Sequence, residues 1–324
     1  MAARERTDGR ARIKDVAQHA RVSVGTVSHV LSGHVTVSEE LRERVLRSIE
    51  ALGYVPNFHA QRLRHSLSRV LGLCLPQGAT AYFNTPSETF EEIASREGYG
   101  VMHVFSRHDP ATELDRIKEL LRYRVDGLVL FPSPAPARTL DFVASKGVPL
   151  VIVDRATQDA RFDQVTLDNR KVMRDVAQRL VALGHTRLLF VYRSRSPLAT
   201  QRRLDGLADA RAHVGGRLAF AAIEFQNDDA FLRDELTRAL GREDPPTAIV
   251  VSNSHQASLV LGYLADKGIA CPAEVSVVAF DDPEWASLVR PRLSVVRQPA
   301  PAMAKAAWDL LMQRVNGVAG PVRT

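Results

Sequence analysis

Three short helical patterns follow one another between residues 13 and 53. The first, residues 13–20, has apolar side chains at i, i+3, i+4 and i+7, which predicts an amphipathic helix. Ser23 is the predicted N-cap of a second helix, Val24–Leu31, and Ser38 of a third that ends at Gly53. Three helices with so few apolar positions predict one small all-α module, residues 12–55.

After residue 68 the pattern changes, because apolar runs of strand length alternate with amphipathic helices. About nine strand candidates occur, among them Val70–Leu75, Val101–Phe105, Gly127–Phe131, Leu150–Val153, Leu188–Tyr192, Ala221–Phe225, Ala248–Ser252 and Val275–Phe280. This alternation predicts parallel sheets covered by helices on both faces. The polar stretch Ala156–Asp163 near the midpoint favours two sheets over one.

The predicted fold is therefore a three-helix head followed by an α/β core of two parallel-sheet lobes. We expect a linker with a short basic helix at residues 56–68 and the core at residues 69–324. Within the core, the N-lobe takes about 69–167 and 298–324, and the C-lobe about 168–297. In open α/β sheets ligands bind at the carboxyl ends of the strands, so we expect a binding crevice between the lobes.

Charge separates the head from the core. Residues 1–69 hold 12 Lys and Arg against 7 Asp and Glu, whereas the rest of the chain holds 31 against 30. A basic head on a neutral body indicates a polyanionic partner, although a solvated surface can show the same bias. The longest apolar runs are too short to cross a bilayer, and no apolar stretch follows the basic N-terminus. We therefore expect a cytoplasmic, nucleoid-associated protein with no membrane partner.

The segment IKDVAQHARVSVGTVSHVLSG, residues 13–33, has the pattern of a helix-turn-helix. In that motif the second helix lies in the DNA major groove and its N-terminal residues meet base edges. Together with the VSEELRERV and ALGYVPN segments, it closely resembles the head of the LacI/GalR repressors over residues 13–64. The alternative is a three-helix bundle with no DNA-binding role.

The resemblance implies double-stranded operator DNA as a partner, bound by a homodimer. It assigns DNA contacts to Ser23, Val24, Gly25, Thr26, Ser28, His29, Tyr54, Asn57 and Leu63. Leu63 matches the leucine of the family's hinge helix, which enters the minor groove; the alternative is an ordinary linker contact. Arg21 replaces a small residue in the turn, which carries a modest backbone cost if that position is left-handed. His29 replaces the usual arginine, so the operator should differ at the base pair read there.

The core resembles the periplasmic-binding-protein-like core of the same family through VDGLVLFPS, VDR, LGHTRLLFV and PAEVSVVAFDD. Carried over by position, this implies a small-molecule effector, a sugar or related polar metabolite. Its predicted contacts are Tyr82, Phe83, Arg155, Arg203, Asn253 and Asp281. For each residue the alternative is a structural role: core packing, a surface ion pair or a helix cap. The family usually has Asn-Asp where this chain has Asn253-Ser254, so the ligand need not be a typical sugar.

The chain has no sequence motif of an enzyme. G-x-S-x-G, the phosphate-binding G-x-x-x-x-G-K-[ST], G-x-G-x-x-G and H-E-x-x-H do not occur. We expect no catalysis, no cofactor and no metal. The function predicted is a ligand-responsive transcriptional repressor. The alternatives are a solute-binding protein without a regulatory role and an α/β enzyme with an appended DNA-binding head.

Overall fold

The computed structural model describes residues 11–31, 37–54, 67–77, 81–193, 197–225 and 228–324. Residues 1–68 and residues 69–324 form two compact units. No helix within these described ranges is both long enough and apolar enough to span a membrane.

The head consists of α1 (Ile13–Ala20), α2 (Val24–Leu31) and α3 (Glu39–Ala51). Each contributes one fully buried valine to a common core: Val16, Val27 and Val45. Burying one such side chain contributes about 1.5–3 kcal/mol, so this small core depends on every one of them.

Of the two N-caps predicted in the head, one is confirmed and the other makes no side-chain hydrogen bond. The amide of Thr26 donates to Ser23 Oγ over 3.0 Å, which confirms Ser23 as the cap of α2. Ser38 stands at the N-cap of α3, but its side chain makes no capping hydrogen bond within the described structure. Instead the carbonyl of Ser38 accepts from the amide of Arg42.

Arg21 ends α1 with φ 52°, a left-handed conformation that is costly for any residue other than glycine.

The first core sheet contains β1 (Val70–Leu75), β2 (Gly100–Phe105), β3 (Gly127–Leu130), β4 (Leu150–Val153) and β5 (Asp163–Val165). All pairs are parallel, in the order β2-β1-β3-β4-β5. The helices between these strands are α4 (Ala81–Arg96), α5 (Pro110–Arg122) and α6 (Ala137–Lys146). The strands β3 and β4 are buried along their whole length, as expected where helices cover both faces.

The second sheet repeats this arrangement. It contains β6 (Arg187–Tyr192), β7 (Ala219–Glu224), β8 (Ala248–Val251), β9 (Ser276–Phe280) and β10 (Ser294–Val296), all parallel in the order β10-β9-β8-β6-β7. Its helices are α7 (Asn169–Ala182), α8 (Pro197–His213), α9 (Asp229–Leu240) and α10 (Ser254–Asp266). The last helix, α11 (Ala300–Val315), returns to the first lobe and packs in its core.

The prediction of two parallel-sheet lobes is confirmed. The strands β5 and β10 were not among the predicted strands. Each has only three residues, too few to show a pattern in the sequence.

The helices α7 and α8 cross closely because glycine occupies position 206. A Cβ atom there would lie 2.3 Å from the carbonyl oxygen of Arg170 and 3.0 Å from the amide nitrogen of Arg174. The contact is continued by an ion pair in which Arg170 donates to both oxygens of Asp209, at 2.7 Å each. Gly206 therefore sets the distance between the first two helices of the second lobe.

The C-terminal segment is held to the first lobe by the buried carboxylate of Asp163 in β5. Arg314 donates to both of its oxygens, at 2.7 and 3.1 Å, and the amide of Arg323 donates to it at 2.8 Å. The amide of Gln164 in turn donates to the carbonyl of Arg323. Burial alone would raise the pKa of Asp163, but the hydrogen bonds from Arg314 and Arg323 outweigh it and hold the pKa below its usual value.

Candidate functional site

A cavity of about 460 Å³ opens where the strands of both sheets end at their carboxyl edges. Its walls follow β1, β2 and β4 of the first lobe and β6, β8, β9 and β10 of the second. The polar and aromatic residues that line it are Gln77, Tyr82, Phe83, His108, Asp154, Arg155, Asn169, Arg193, Thr200, Arg203, Ser252, Asn253, Ser254, His255, Asp281 and Gln298. A volume of this size suits a small ligand.

The aromatic wall comes from α4. The rings of Tyr82 and Phe83 meet edge to face at 4.9 Å, and Phe83 meets Phe131 in the same way at 5.7 Å. Phe83 is 6% exposed and belongs to the core of the first lobe, so it both packs and lines the cavity.

A chain of polar side chains links the two lobes across the cavity. The hydroxyl of Tyr82 donates to Asp154 and lies 3.3 Å from Oε1 of Gln298. The amide nitrogen of Gln298 donates to Asp281 over 2.9 Å. Burial raises the pKa of both carboxyl groups, that of Asp281 to about 6, where the nearby Asp154 adds to the effect.

The two carboxylates occupy matching positions in the two lobes. Asp154 follows β4 with φ 72°, and Asp281 follows β9 with φ 68°. Left-handed backbone at non-glycine residues is costly and concentrates at functional sites. Asp282 differs from its neighbour, because it pairs with Arg297 at the surface. The two adjacent aspartates therefore do not form an acid–base pair.

Arg203 on α8 reaches the cavity wall over the ring of Phe280, with its guanidinium carbon 3.6 Å from the ring centroid. Its Nε donates to Asn169 Oδ1 over 2.7 Å, and one terminal nitrogen donates to the carbonyl of Ser252 over 3.1 Å. Burial lowers the pKa of the guanidinium, while Asp281 acts in the opposite direction. The tight α7–α8 crossing places this arginine, because Asn169 begins α7.

Arg155 lies in the first lobe. One of its terminal nitrogens donates to the carbonyl of Pro132 over 2.9 Å, and the other lies 3.3 Å from Nδ1 of His108. Its Nε lies 3.8 Å from Asp154. Arg155 is therefore fixed against the loop that follows β3.

The second surface of interest is α2 in the head. Val27 and Val30 are buried against the other two helices. Ser23, Val24, Gly25 and His29 are exposed, and Thr26, Ser28 and Tyr54 are half-buried. The described predicted DNA contacts on α2 thus occupy the side that the head core leaves open. Asn57 and Leu63, with the predicted hinge helix, lie outside the described residues.

Comparison with known proteins agrees with both halves of the chain. Residues 12–57 match the family model for bacterial regulatory proteins of the lacI family, and residues 177–324 match the periplasmic binding protein-like domain. The transcriptional regulator GalR of Escherichia coli is 30% identical over 303 residues, which cover 93% of this chain and 88% of GalR. The chain belongs to the LacI family. It is a transcriptional regulator with a helix-turn-helix head, and like its curated relatives it is not an enzyme.

Solved structures of LacI-family regulators share the fold. The Lac repressor dimer bound to operator and the anti-inducer ONPF is 24% identical, with a TM-score of 0.83 over 97% of this chain and 96% of that one. The complex of the regulator CelR with cellobiose is 26% identical, with a TM-score of 0.64 over 97% of this chain and 96% of that one.

In this LacI-family chain all six residues predicted to contact an effector line the one cavity described above. Asn253 has a structural role as well, because its Oδ1 accepts from the amide of Gln256 and caps α10. The side-chain nitrogen of Asn253 makes no hydrogen bond with the described residues and is free to face a ligand.

Sequence reasoning missed several lining residues, above all Asp154, Arg193 and Gln298. Asp154 stands in the quoted VDR motif, beside the arginine that was chosen. Its relation to Asp281 was a usable signal, because each aspartate directly follows a strand of apolar residues. Gln298 gave no such signal, because it lies two residues after β10, a three-residue strand that was not predicted.

Proposed function

We propose that this regulator is a repressor that binds a pseudo-palindromic operator as a homodimer, with one α2 helix of each protomer in successive major grooves. Half-sites about one helical turn apart follow from that arrangement. Ser23, Val24, Gly25, Thr26, Ser28 and His29 would face the bases or the adjoining backbone, and Tyr54 the phosphates. The support is the exposed face of α2 and the family's head motif; the Lac repressor was solved as a dimer on its operator.

The linker role rests on the sequence alone. Asn57 would contact the DNA backbone, and Leu63 would insert between base pairs of the minor groove, where an apolar wedge kinks the duplex. The proposed ranges are 12–55 for the head, 56–68 for the hinge helix and linker, and 69–324 for the core. The proposed site of action is the cytoplasm, on the nucleoid.

The effector would be a sugar-like or other small polar molecule bound between the core lobes. One observation carries this proposal: polar groups from both lobes meet in one cavity, with Tyr82 and Arg155 on one side and Arg203 and Asp281 on the other. CelR was solved with a sugar, cellobiose. An effector that binds one lobe arrangement more tightly shifts the population toward it, and with it the DNA-competent state.

Operator binding is tested by fluorescence anisotropy on DNA selected from random sequence by the intact protein. We expect a site with two related half-sites, a dissociation constant of about 10⁻⁸ M or lower, and steep weakening with salt. Binding that is equally weak on all sequences would contradict the repressor role and leave a solute-binding protein as the alternative.

The effector role is tested by adding sugars, polyols and nucleosides to that complex. A compound that releases or tightens the operator should lose its effect in Arg203→Ala, while operator affinity without the compound stays the same. A normal response in Arg203→Ala would remove this residue from the proposed site.

A further inference from the structure

The charges around the cavity do not balance. Three arginines line it, Arg155, Arg193 and Arg203, against two aspartates, Asp154 and Asp281. The histidines of the lining, His108 and His255, can only add positive charge. Guanidinium groups stay protonated near neutral pH even where burial lowers their pKa, so the side chains that line the cavity carry a positive excess. The buried carboxyl of Glu113 offsets part of it at Arg155.

Both aspartates already have hydrogen-bond donors in the cavity wall. Asp154 accepts a hydrogen bond from Tyr82 and has the guanidinium of Arg155 beside it at 3.8 Å. Asp281 accepts from the amide of Gln298. Neither carboxylate lies within ion-pair distance of Arg193 or Arg203 in the described part of the chain, although both act electrostatically on Arg203.

The guanidinium of Arg203 donates to two neutral acceptors, the side-chain oxygen of Asn169 and the carbonyl of Ser252. A guanidinium has five N–H donors, and these two bonds use two of them. Three N–H donors remain for a carboxylate or phosphate, which are the groups that a guanidinium binds most strongly.

Arg193 follows β6 and makes no ion pair with the described residues. Contacts with the same serine place its backbone near Arg203. Its backbone amide donates to Ser252 Oγ over 3.4 Å, while Arg203 donates to the carbonyl of the same serine. The pKa of Arg193 is lowered by burial and by repulsion from Arg155. Both residues thus contact Ser252, just after β8, Arg193 through its backbone amide and Arg203 through its guanidinium. Both also line the cavity, where an anion would offset the repulsion on Arg193.

The start of α10 adds to the same end of the cavity. Ser254 and His255, its first residues, line the cavity, and Asn253 caps the helix. Amides at a helix N-terminus favour a negative charge, so the helix supports the arginines.

We propose that the effector is a polyhydroxylated molecule with one anionic group, a carboxylate or a phosphate, held between Arg193 and Arg203, with its hydroxyl groups on Asp154 and Asp281. This rests on the proposed effector role of the cavity and gives its ligand a chemical class. A neutral sugar of the same size would leave the guanidinium of Arg193 without a counter-charge among the described residues.

The anion site is tested without knowing the effector. The melting temperature of the intact protein is followed at pH 7.5 while sodium phosphate or sodium acetate replaces sodium chloride at constant ionic strength. We expect a saturable rise of about 2–4 °C at ten times the dissociation constant of the anion. A response to phosphate alone indicates a phosphate ester, and a response to acetate alone indicates a carboxylate.

Arg193→Gln should weaken this binding about tenfold or more, because it removes a charged donor. Arg193→Lys keeps the charge and should retain part of the affinity. It replaces the glutamine variant in the test if that variant does not fold. The control is Arg233→Gln, which breaks a surface pair with Asp266 on the same lobe and should respond like the wild type. No saturable rise, or the same rise in Arg193→Gln, would overturn the proposal and place any anion elsewhere, such as on the basic head.

The operator assay separates this inference from the proposed function. Release or tightening of the operator by neutral sugars, with Arg193→Gln responding normally, would refute the anionic ligand and keep the regulator. Phosphate or acetate binding that needs Arg193, in a protein whose operator affinity no anionic sugar changes, would keep the anion site and refute its effector role.

Discussion

Gly206 and Gly262 both lie inside helices of the second lobe, yet replacing each with alanine should change stability in opposite directions. An added Cβ at Gly206 would lie 2.3 Å from the carbonyl oxygen of Arg170, whereas at Gly262 nothing lies within 4 Å. Alanine is favoured over glycine within a helix by about 1 kcal/mol, and this gain applies to both sites. Gly262→Ala should therefore stabilise the protein by up to about 1 kcal/mol.

At Gly206 the steric cost outweighs that gain. To reach an ordinary contact, α8 must move away from α7 by about 1 Å, and the atoms that resist are backbone. Overpacking of this kind costs about 3 kcal/mol or more, so the net loss is about 2 kcal/mol, or roughly 4–8 °C in melting temperature. The same movement lengthens the 2.7 Å hydrogen bond from Arg203 to Asn169, so the effector response should weaken too.

Urea unfolding followed by circular dichroism measures both variants, with the effector response measured on operator DNA. Stabilisation of the same size in Gly206→Ala and Gly262→Ala would refute the claim that position 206 sets the α7–α8 distance. A destabilised Gly206→Ala protein with a normal effector response would keep the packing claim and refute its link to Arg203.

Three further outcomes are expected. Asp163→Asn should cost about 3 kcal/mol near neutral pH in urea unfolding. Since the pKa of Asp163 in the folded state lies below the ordinary 3.8, its ionised carboxylate stabilises the protein above that pH. The difference in free energy of unfolding between the variant and wild type should therefore shrink as the pH falls below about 4. A difference that stays constant with pH would contradict this. Asn253→Ala should cost about 1 kcal/mol through loss of the α10 cap, and Asn253→Ser much less; equal losses in urea unfolding would refute the cap. Tyr82→Phe should weaken effector binding about tenfold by removing the donor to Asp154, and unchanged affinity in calorimetry would exclude a role for that hydrogen bond in effector binding.

The sequence was sufficient for the parts of the fold that repeat. The strands β1 and β4 were predicted with the bounds that the structure shows, because each is a short buried run between polar segments. Arg21 was correctly singled out, since a turn between two helices needs a left-handed residue and the family usually has a small one there. The strands β5 and β10 were missed, because three residues carry no periodicity and their pairing depends on neighbours distant in sequence.

The site, too, was predicted only in part from the sequence. Residues carried over from the family's motifs, such as Tyr82 and Arg203, all reach the cavity. What the sequence does not reveal is how each atom is used. The side-chain oxygen of Asn253 caps a helix, Asp154 shares a proton donor with Gln298, and Arg193 lies free of carboxylates among the described residues. These contacts depend on how separate helices and strands pack together, so the sequence pattern of any single helix or strand does not predict them.

The two crossings of the chain between the lobes explain how a small ligand could act on the whole core. One crossing joins β5 to α7 and ends at Asn169; the other joins β10 to α11 and contains Gln298. Both residues line the cavity, and each is held by a residue proposed to bind the effector: Asn169 by Arg203, and Gln298 by Asp281. A ligand that binds Arg203 and Asp281 therefore competes for hydrogen bonds that fix the crossings. Because the angle between the lobes changes by rotation of the backbone at such crossings, ligand binding and lobe movement are coupled through the same few bonds.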